Sequence, residues 1–418
     1  MTDKRTERPR RRGNGWLTAA AVIAAVVLFL PVLLLPLTTS VPMWAWLPLL
    51  LLGLFALLWL ILRRRRRAVR PMAVGVMALA AIVAVLASQT LAITPPITGP
   101  DGEPVPGSVA EMESVELGGS EQWITIRGHD ASNPVLLNLG MGGPGGGGFF
   151  NSTEFRPLEE HFTVVNWDEP GTGKSYGAVP FDELDRERFV ADATELTNHL
   201  RERFGQDKIY IYGVSWSSII GIWLAQEHPE LFHAFISSGQ MVNTTENDRM
   251  GYELALEHLE EQGDTGRAEK LRENGPPPYY GDAVVWPYVD FLDVLNEMMG
   301  IPRYTLVVPL LGLLVPEYGY VDTINHTRGL INSFNAVYPQ LEDLDFVEQA
   351  PTLEVPVFFF VGRHDVNAMP SLVEEYFDEL SAPEKRLIWL EGGHGLGSAD
   401  NKDLFVDVML DEVRPLSQ

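Results

Sequence analysis

Hydrophobic positions follow two different patterns along this chain, and the first is a set of three long apolar runs near the N-terminus. A helix needs about 20 apolar residues to cross the roughly 30 Å of hydrocarbon in a bilayer. The first run is longer than the apolar part of a cleaved signal peptide, so we expect it to stay in the protein. The pattern predicts three transmembrane helices within residues 1–93, at Trp16 to Leu37, Val41 to Leu62 and Pro71 to Ile93.

After residue 110 the pattern changes, because short apolar runs now alternate with helix-like segments such as 187–204. Strands that alternate with helices indicate a largely parallel sheet that is covered by helices on both faces. We therefore predict an α/β fold. Its strands are expected near residues 112–127, 134–139, 162–167, 208–213, 231–237, 353–361 and 386–390.

Two segments interrupt this alternation. Residues 94–110 are rich in proline and glycine, which predicts an extended linker after the membrane domain. Residues 241–350 carry helical patterns, and we expect them to form a cap between the two parts of the α/β core, 111–240 and 351–418. The cap helices are predicted at Tyr252 to Gln262, Ala268 to Glu273 and Tyr288 to Met299.

Basic residues predict the orientation of the membrane domain. Arg8 and Arg10 to Arg12 precede the first run, Arg63 to Arg67 and Arg70 separate the second from the third, and residues 38–40 carry no charge. Loops rich in arginine and lysine stay in the cytoplasm. We expect a cytoplasmic N-terminus and, after three crossings, a catalytic domain outside the cytoplasm. The alternative, a nucleic-acid patch, is disfavoured because the arginine run lies between two spans.

The charge of the remaining chain narrows the choice of partner. Of 31 basic and 56 acidic residues, 12 and 2 lie in residues 1–93, which leaves a formal charge of −35 for the rest. Such a surface repels nucleic acid, so the bilayer and a small substrate are the expected partners. The acidity fits a salty habitat or simply an acidic exported domain. The chain has no cysteine, which excludes disulfides and thiolate metal sites.

A serine at a sharp turn is the strongest chemical signal. An apolar strand ends at Val214, Ser215 follows, and an apolar helix begins at once. Such a turn exposes the serine hydroxyl to a histidine and to a substrate carbonyl. The segment matches a G-x-S-x-G elbow in which Ser217 replaces the second glycine. The alternative interpretation is an ordinary strand-to-helix turn.

Two partners for this serine follow later in the chain. Asp365 comes directly after a predicted buried strand, and His394 lies in a glycine-rich loop after the next strand. The order serine, acid, histidine occurs in one known triad arrangement. We therefore predict that Ser215 is the nucleophile, His394 its base and Asp365 the group that orients His394. The alternative histidine, His364, is expected to be structural.

Stabilisation of an oxyanion is predicted at the glycine-rich segment 140–148, which follows a strand. Backbone without side chains can direct its N–H groups at a developing negative charge. We assign the donors to the amides of Gly143, or Gly142, and of Trp216. A phosphate-binding loop is the alternative, but the segment lacks the Gly-Lys-Ser/Thr ending of such loops.

These motifs resemble those of the proline iminopeptidase-like α/β-hydrolases, which are serine-type prolyl aminopeptidases. The similarity spans about residues 110 to 415. Among the departures from the family pattern, Met141 replaces a histidine, Pro170 an arginine and Ser217 a glycine. The matching segments are MGGPG at 141–145 against HGGPG, DEPGTGKS at 168–175 against DQRGxGxS, and GVSWSS at 213–218 against GGSWGS.

The resemblance implies an α/β-hydrolase fold with a helical cap, and no metal or organic cofactor. In peptidases of this family, acidic cap residues bind the free amino group of the substrate. Glu246 and Asp248 are the candidates for that role here, and the alternative is a solvated first turn of a helix. Aromatic residues of the cap are candidates for the lining of the substrate pocket or for the core of the cap. They are Tyr279, Tyr280, Trp286 and Tyr288.

The sequence thus predicts a membrane-anchored serine hydrolase, namely an aminopeptidase that removes N-terminal residues from short peptides. One alternative is an esterase or lipid hydrolase that works at the membrane surface. Another is a binding module that has lost its catalytic activity.

Overall fold

The computed structural model describes residues 15–63, 66, 68–140, 142–149, 152–303, 310 and 312–417. Arg8 and Arg10 to Arg12, most of the arginine run 63–67 and Met141 therefore lie outside the described residues. The chain forms two compact units, Met1–Ile93 and Thr94–Gln418.

Three helices make up the described part of the first unit, and each is long and apolar enough to cross a membrane. The first continues through Pro31 and Pro36 to its end at Thr38. Small side chains of the third helix, such as Ala73 and Ala84, are fully buried. Small residues allow membrane helices to approach closely, and large apolar side chains cover the outer faces. The helices are α1 (Gly15–Thr38), α2 (Met43–Leu62) and α3 (Val69–Leu91).

Residues 94–108 are folded, which corrects the expectation of an extended linker. Thr98 and Pro104 form a β-bridge, and the Val105 amide donates to the Ile97 carbonyl over 2.9 Å. Ile97 is buried, and the Arg127 guanidinium donates to the Pro95 carbonyl. Because its backbone groups are paired, this segment is part of the second unit.

An eight-stranded sheet forms the centre of the second unit and confirms the predicted α/β class. Its strands are β1 (Val109–Leu117), β2 (Ser120–Gly128), β3 (Val135–Asn138), β4 (Thr163–Asp168), β5 (Ile209–Val214), β6 (Phe232–Ser238), β7 (Val357–Gly362) and β8 (Lys385–Leu390). Their order is β1-β2-β4-β3-β5-β6-β7-β8. The single strand expected near 112–127 is an antiparallel hairpin, β1 and β2, and all pairs from β4 to β8 are parallel.

Both faces of the sheet are buried. Neighbouring residues of one strand enter different cores, as Leu136 and Leu137 do in β3 and Phe358 and Phe359 do in β7. This is why the parallel strands read as continuous apolar runs. The covering helices are α4 (Arg186–Phe204), α5 (Trp216–Glu227), α10 (Phe346–Gln349), α11 (Pro370–Glu379) and α12 (Ala399–Val408).

A helical cap is inserted between β6 and β7. It contains α6 (Thr244–Gln262), α7 (Thr265–Asn274), α8 (Val285–Met298) and α9 (Tyr320–Val337). The last of these was not predicted from the sequence. It packs on the loop after β4, where Asp322 forms a buried 2.9 Å ion pair with Lys174 and Asn332 donates to the Tyr176 hydroxyl over 2.8 Å.

Candidate active site

Ser215 lies in a strained turn between β5 and α5. Its backbone angles are φ 55° and ψ −117°, and it is the only non-glycine residue with a positive φ in the described part of the chain. Such a conformation costs roughly 1–3 kcal/mol and persists only where the surrounding structure enforces it. The strain is the geometry of a nucleophile elbow, which exposes the serine at the carboxyl edge of the sheet.

Asp365 and His394 are in direct contact. The Nδ1 atom of His394 lies 2.8 Å from one carboxylate oxygen of Asp365. The other oxygen accepts hydrogen bonds from the amides of Asn367 (2.8 Å) and Ala368 (2.9 Å). Burial lowers the pKa of His394, but the Asp365 charge and hydrogen bond outweigh burial and raise that pKa above its ordinary value of 6.5. The pair therefore suits a histidine that accepts a proton.

The His394 ring is packed against the backbone of Gly239, which follows β6 with φ +56°. A Cβ atom at this position would lie 2.5 Å from the ring. Only glycine leaves the ring room here, so the end of β6 helps to fix the histidine.

A cavity of about 360 Å³ joins these groups. Ser215, Trp216, His394, Gly142 and Gly143 line it on the side of the sheet. The opposite side comes from the cap and is largely apolar, although Asn247, Asp248, His326, Thr327 and Tyr338 also line it. Its lining there includes Val285, Trp286, Phe291, Leu295, Leu330, Ile331 and Phe334.

The glycine-rich segment forms an ordered turn beside the cavity. The Gly146 amide donates to the Gly143 carbonyl over 3.0 Å, and Gly145 adopts φ +88°. Proline at the second position and glycine at the third fit a type II turn. The Nε2 atom of His326 lies 3.2 Å from the Gly146 carbonyl, and burial lowers the pKa of His326 to about 4. His326 is therefore neutral at pH 7 and donates to that carbonyl.

The two candidate carboxylates of the cap lie in different environments. Asp248 is buried, lines the cavity and accepts a 2.9 Å hydrogen bond from the Tyr338 hydroxyl. Burial raises the pKa of Asp248 to about 7, although hydrogen bonds from Tyr338 and Tyr288 oppose that rise. Glu246 does not reach the cavity, because its side chain is 39% exposed and pairs with Arg249 over 2.6 Å. The structure thus brings only Asp248 to Ser215 and His394.

The candidate aromatic residues of the cap also lie in different environments. Trp286 lines the cavity, and Tyr288 contacts Asp248. Tyr279 packs edge-on against Tyr288 at 4.9 Å in the cap core, and Tyr280 is 68% exposed.

Sequence reasoning missed the contribution of α9, which supplies His326, Leu330 and Phe334 to the cavity. A signal was present, because apolar residues recur along 320–337 at helical spacing. It also missed Glu169, a buried acid in the loop after β4. Among the described residues, no group of three or more His, Asp or Glu side chains could hold a metal ion.

Several known proteins are similar to this chain in sequence. A family model of the alpha/beta hydrolase fold matches residues 133–266. A probable aminopeptidase of Bacillus subtilis, YbaC, is 29% identical over 310 residues, which cover 72% of this chain and 96% of that protein. A putative carbamate hydrolase of Yersinia enterocolitica, RutD, is 30% identical over 289 residues, 69% of this chain and 89% of the relative.

Among solved structures, the proline iminopeptidase of Mycobacterium smegmatis superposes with a TM-score of 0.51. The superposition covers 73% of this chain and 99% of the other, at 17% identity. This likeness shows a shared fold.

Proposed function

The chain belongs to the alpha/beta-hydrolase family, as its motifs predicted, and on that premise we propose that it is a membrane-anchored serine aminopeptidase for short peptides. The observation that carries this proposal is the buried carboxyl of Asp248, which lines the same cavity as Ser215 and His394. The similarity to a probable aminopeptidase over 96% of that protein supports it.

Ser215, His394 and Asp365 perform acyl transfer in this proposal. The Ser215 hydroxyl attacks the scissile carbonyl while His394 takes its proton, and Asp365 holds the imidazole and stabilises the cation that forms. The amides of Gly143 and Trp216 stabilise the oxyanion. His394 then returns the proton to the leaving amine. Water, activated by His394, releases the N-terminal residue from the acyl-enzyme and regenerates Ser215.

Asp248 binds the α-ammonium group of the substrate in this proposal. A buried carboxyl with a pKa near 7 carries little solvation, and an arriving ammonium favours its ionised form. Tyr288 and Tyr338 fix the carboxyl in the cavity. The apolar lining around it suits a bulky apolar side chain on the N-terminal residue.

A direct test compares substrates that differ only at the amino group. We expect purified full-length protein in detergent to cleave leucine or phenylalanine anilides with a free amino group, and to cleave their N-acetylated forms far more slowly. The reason is that acetylation removes the charge that Asp248 recognises. Equal cleavage of both forms would contradict the aminopeptidase assignment.

An acyl esterase is the second candidate, because the cavity lining apart from Asp248 and His326 is largely apolar. The similarity to a relative named as a putative carbamate hydrolase supports the consideration of acyl groups other than a peptide. Short nitrophenyl esters separate the candidates. An esterase would hydrolyse a short acyl ester and the matching ester of a free amino acid about equally well, whereas the proposed enzyme would prefer the ester that carries the free amino group.

The membrane anchor and its orientation belong to the same proposal. α1, α2 and α3 are long and apolar enough to span a bilayer, and the arginine distribution favours a catalytic unit outside the cytoplasm. Because the chain has no cysteine, a cysteine placed at the exposed Glu257 would be unique. We expect a membrane-impermeant maleimide to label Glu257→Cys in intact cells. Labelling only after lysis would place the catalytic unit in the cytoplasm.

A further inference from the structure

Glu169 is a buried carboxylate with hydrogen-bond partners on two separate parts of the active site. It follows directly after β4 and is 1% exposed. One carboxylate oxygen accepts from the Gly145 amide over 2.7 Å. The other accepts from the indole Nε1 of Trp216 over 3.0 Å. The mechanism above assigns Glu169 no role.

The first partner belongs to the turn that presents Gly143. Gly145 is the third residue of the turn that the Gly146 amide closes onto the Gly143 carbonyl. A Cβ atom at Gly145 would lie 2.5 Å from the Gly329 carbonyl of α9, so the cap confines the turn from the other side. Glu169 and the cap therefore contact the turn at the same residue, Gly145.

The second partner begins the helix that follows the nucleophile. Trp216 is the first residue of α5, and its backbone amide is the other predicted oxyanion donor. Its ring packs edge-on against Phe189 at 5.2 Å and Trp223 at 6.2 Å. The hydrogen bond from Glu169 fixes the polar edge of that ring.

We propose that Glu169 is a positioning residue for the oxyanion hole: its carboxylate joins the Gly143–Gly146 turn to Trp216 and so sets the spacing of the two oxyanion donors. This inference rests on the proposed mechanism of Ser215. Ser217 supports the base of the same segment independently, since its hydroxyl donates to the Gly140 carbonyl over 2.6 Å.

Glu169 stands where the family pattern has a glutamine, and in this chain its carboxylate matches both of its partners. Both partners are N–H donors, so only a side chain that accepts at both oxygens satisfies them. A glutamine would direct its NH₂ group at one donor and leave one buried N–H unpaired. Burial raises the pKa of Glu169 to about 7, whereas the hydrogen bonds from Gly145 and Trp216 favour the ionised form. Hydrogen bonds to an ionised acceptor are also stronger than neutral ones.

The test is Glu169→Gln in the full-length protein, with Asp192→Asn as the matched control. Asp192 is also a buried carboxylate, bonded to Gln122 and Arg188, and it does not line the cavity. For Glu169→Gln we expect kcat to fall about 10- to 100-fold, less than the loss of a whole oxyanion donor costs, with KM nearly unchanged. A donor that acts only on the transition state changes kcat rather than KM.

Phenylboronic acid supplies the readout that a purely structural role would not move. It forms a tetrahedral adduct with a serine nucleophile, whose oxygen occupies the oxyanion hole. We expect its affinity to fall in Glu169→Gln by the same factor as kcat/KM, and to be unchanged in Asp192→Asn. Unchanged kcat in Glu169→Gln, or equal effects of the two variants on kcat and boronate affinity, would overturn the inference.

A second variant covers the case in which Glu169→Gln does not fold. Trp216→Phe keeps the backbone donor and removes the indole N–H, together with part of the buried ring. We expect a smaller fall in kcat and boronate affinity, and less than additive effects with Glu169→Gln where both can be made. No effect of Trp216→Phe on either quantity would contradict the proposal. Ser215→Ala separates this result from a failure of the proposed function, because full activity in that variant would remove the premise itself.

Discussion

The two sides of the active-site cavity are built on different physical principles. On the sheet side, which we call the catalytic face, Ser215, Asp365, His394 and the Gly143–Gly146 turn follow the carboxyl ends of strands. The described polar groups there, such as the Asp365 carboxylate, are held by hydrogen bonds of ordinary length. On the opposite side, which we call the cap face, α6, α8 and α9 present apolar side chains around one buried carboxyl, Asp248.

This difference separates the groups proposed for bond cleavage, on the catalytic face, from the groups proposed for the choice of substrate, on the cap face. In the proposed mechanism, the catalytic face supplies the groups that any acyl substrate needs, and short local motifs encode it. The cap face combines Asp248 of α6, Tyr288 of α8 and Tyr338 after α9, which meet only when distant segments pack together. We therefore expect substitutions in the catalytic face to affect all substrates and substitutions in the cap face to affect some.

Removal of the nucleophile from the catalytic face is expected to have the largest effect on activity. Ser215→Ala should lower kcat by about a million-fold for every acyl substrate, as loss of a triad serine does. Steady-state assays with anilides and nitrophenyl esters measure this, and circular dichroism checks the fold. Retained activity on either substrate class would show that Ser215 is not the nucleophile.

Substitution of Asp365 is expected to cause a smaller loss of activity and to change the pH dependence of activity. The raised pKa of His394 means that activity should fall as the pH decreases through a value above 6.5, because the base must be unprotonated. Asp365→Asn removes the interaction that raises this pKa. We expect kcat to fall about 10⁴-fold and the acid limb of kcat/KM to move to lower pH, measured with nitrophenyl esters because their hydrolysis does not require Asp248. An unmoved acid limb would contradict the assignment of Asp365.

The catalytic face was largely predictable from the sequence. The turn at Ser215 and the strand-end position of Asp365 depend on a few neighbouring residues, and the strands of the parallel part of the sheet appear as apolar runs. The structure places Asp365 and His394 in contact, as the predicted order of motifs required. The hairpin of β1 and β2 was predicted as one strand, although the glycine pair Gly118 and Gly119 between its two halves is a turn signal.

The cap face was much less predictable. Glu246 and Asp248 lie two positions apart in the first turns of α6, which is about 200° around the helix axis, so packing alone decides which faces inward. Residues 94–108 read as a linker from their composition, yet their backbone hydrogen bonds make them part of the catalytic unit. Which acid faces inward and whether a proline-rich segment is folded both depend on tertiary contacts, which a local sequence pattern does not contain.

A comparison of Asp248→Asn with Glu246→Gln on matched substrates decides whether the cap face recognises the substrate ammonium group. Both changes replace an acid in the same helix by its amide, but only Asp248 lines the cavity. A charge-assisted hydrogen bond contributes roughly 1.5–3 kcal/mol, so Asp248→Asn should lower kcat/KM for free amino acid anilides about 10- to 150-fold. Nitrophenyl esters should be hydrolysed at nearly the wild-type rate by both variants, and Glu246→Gln should leave the anilides unaffected as well. Equal losses on anilides and esters in Asp248→Asn, or no loss on either, would contradict recognition of the ammonium group by the cap face.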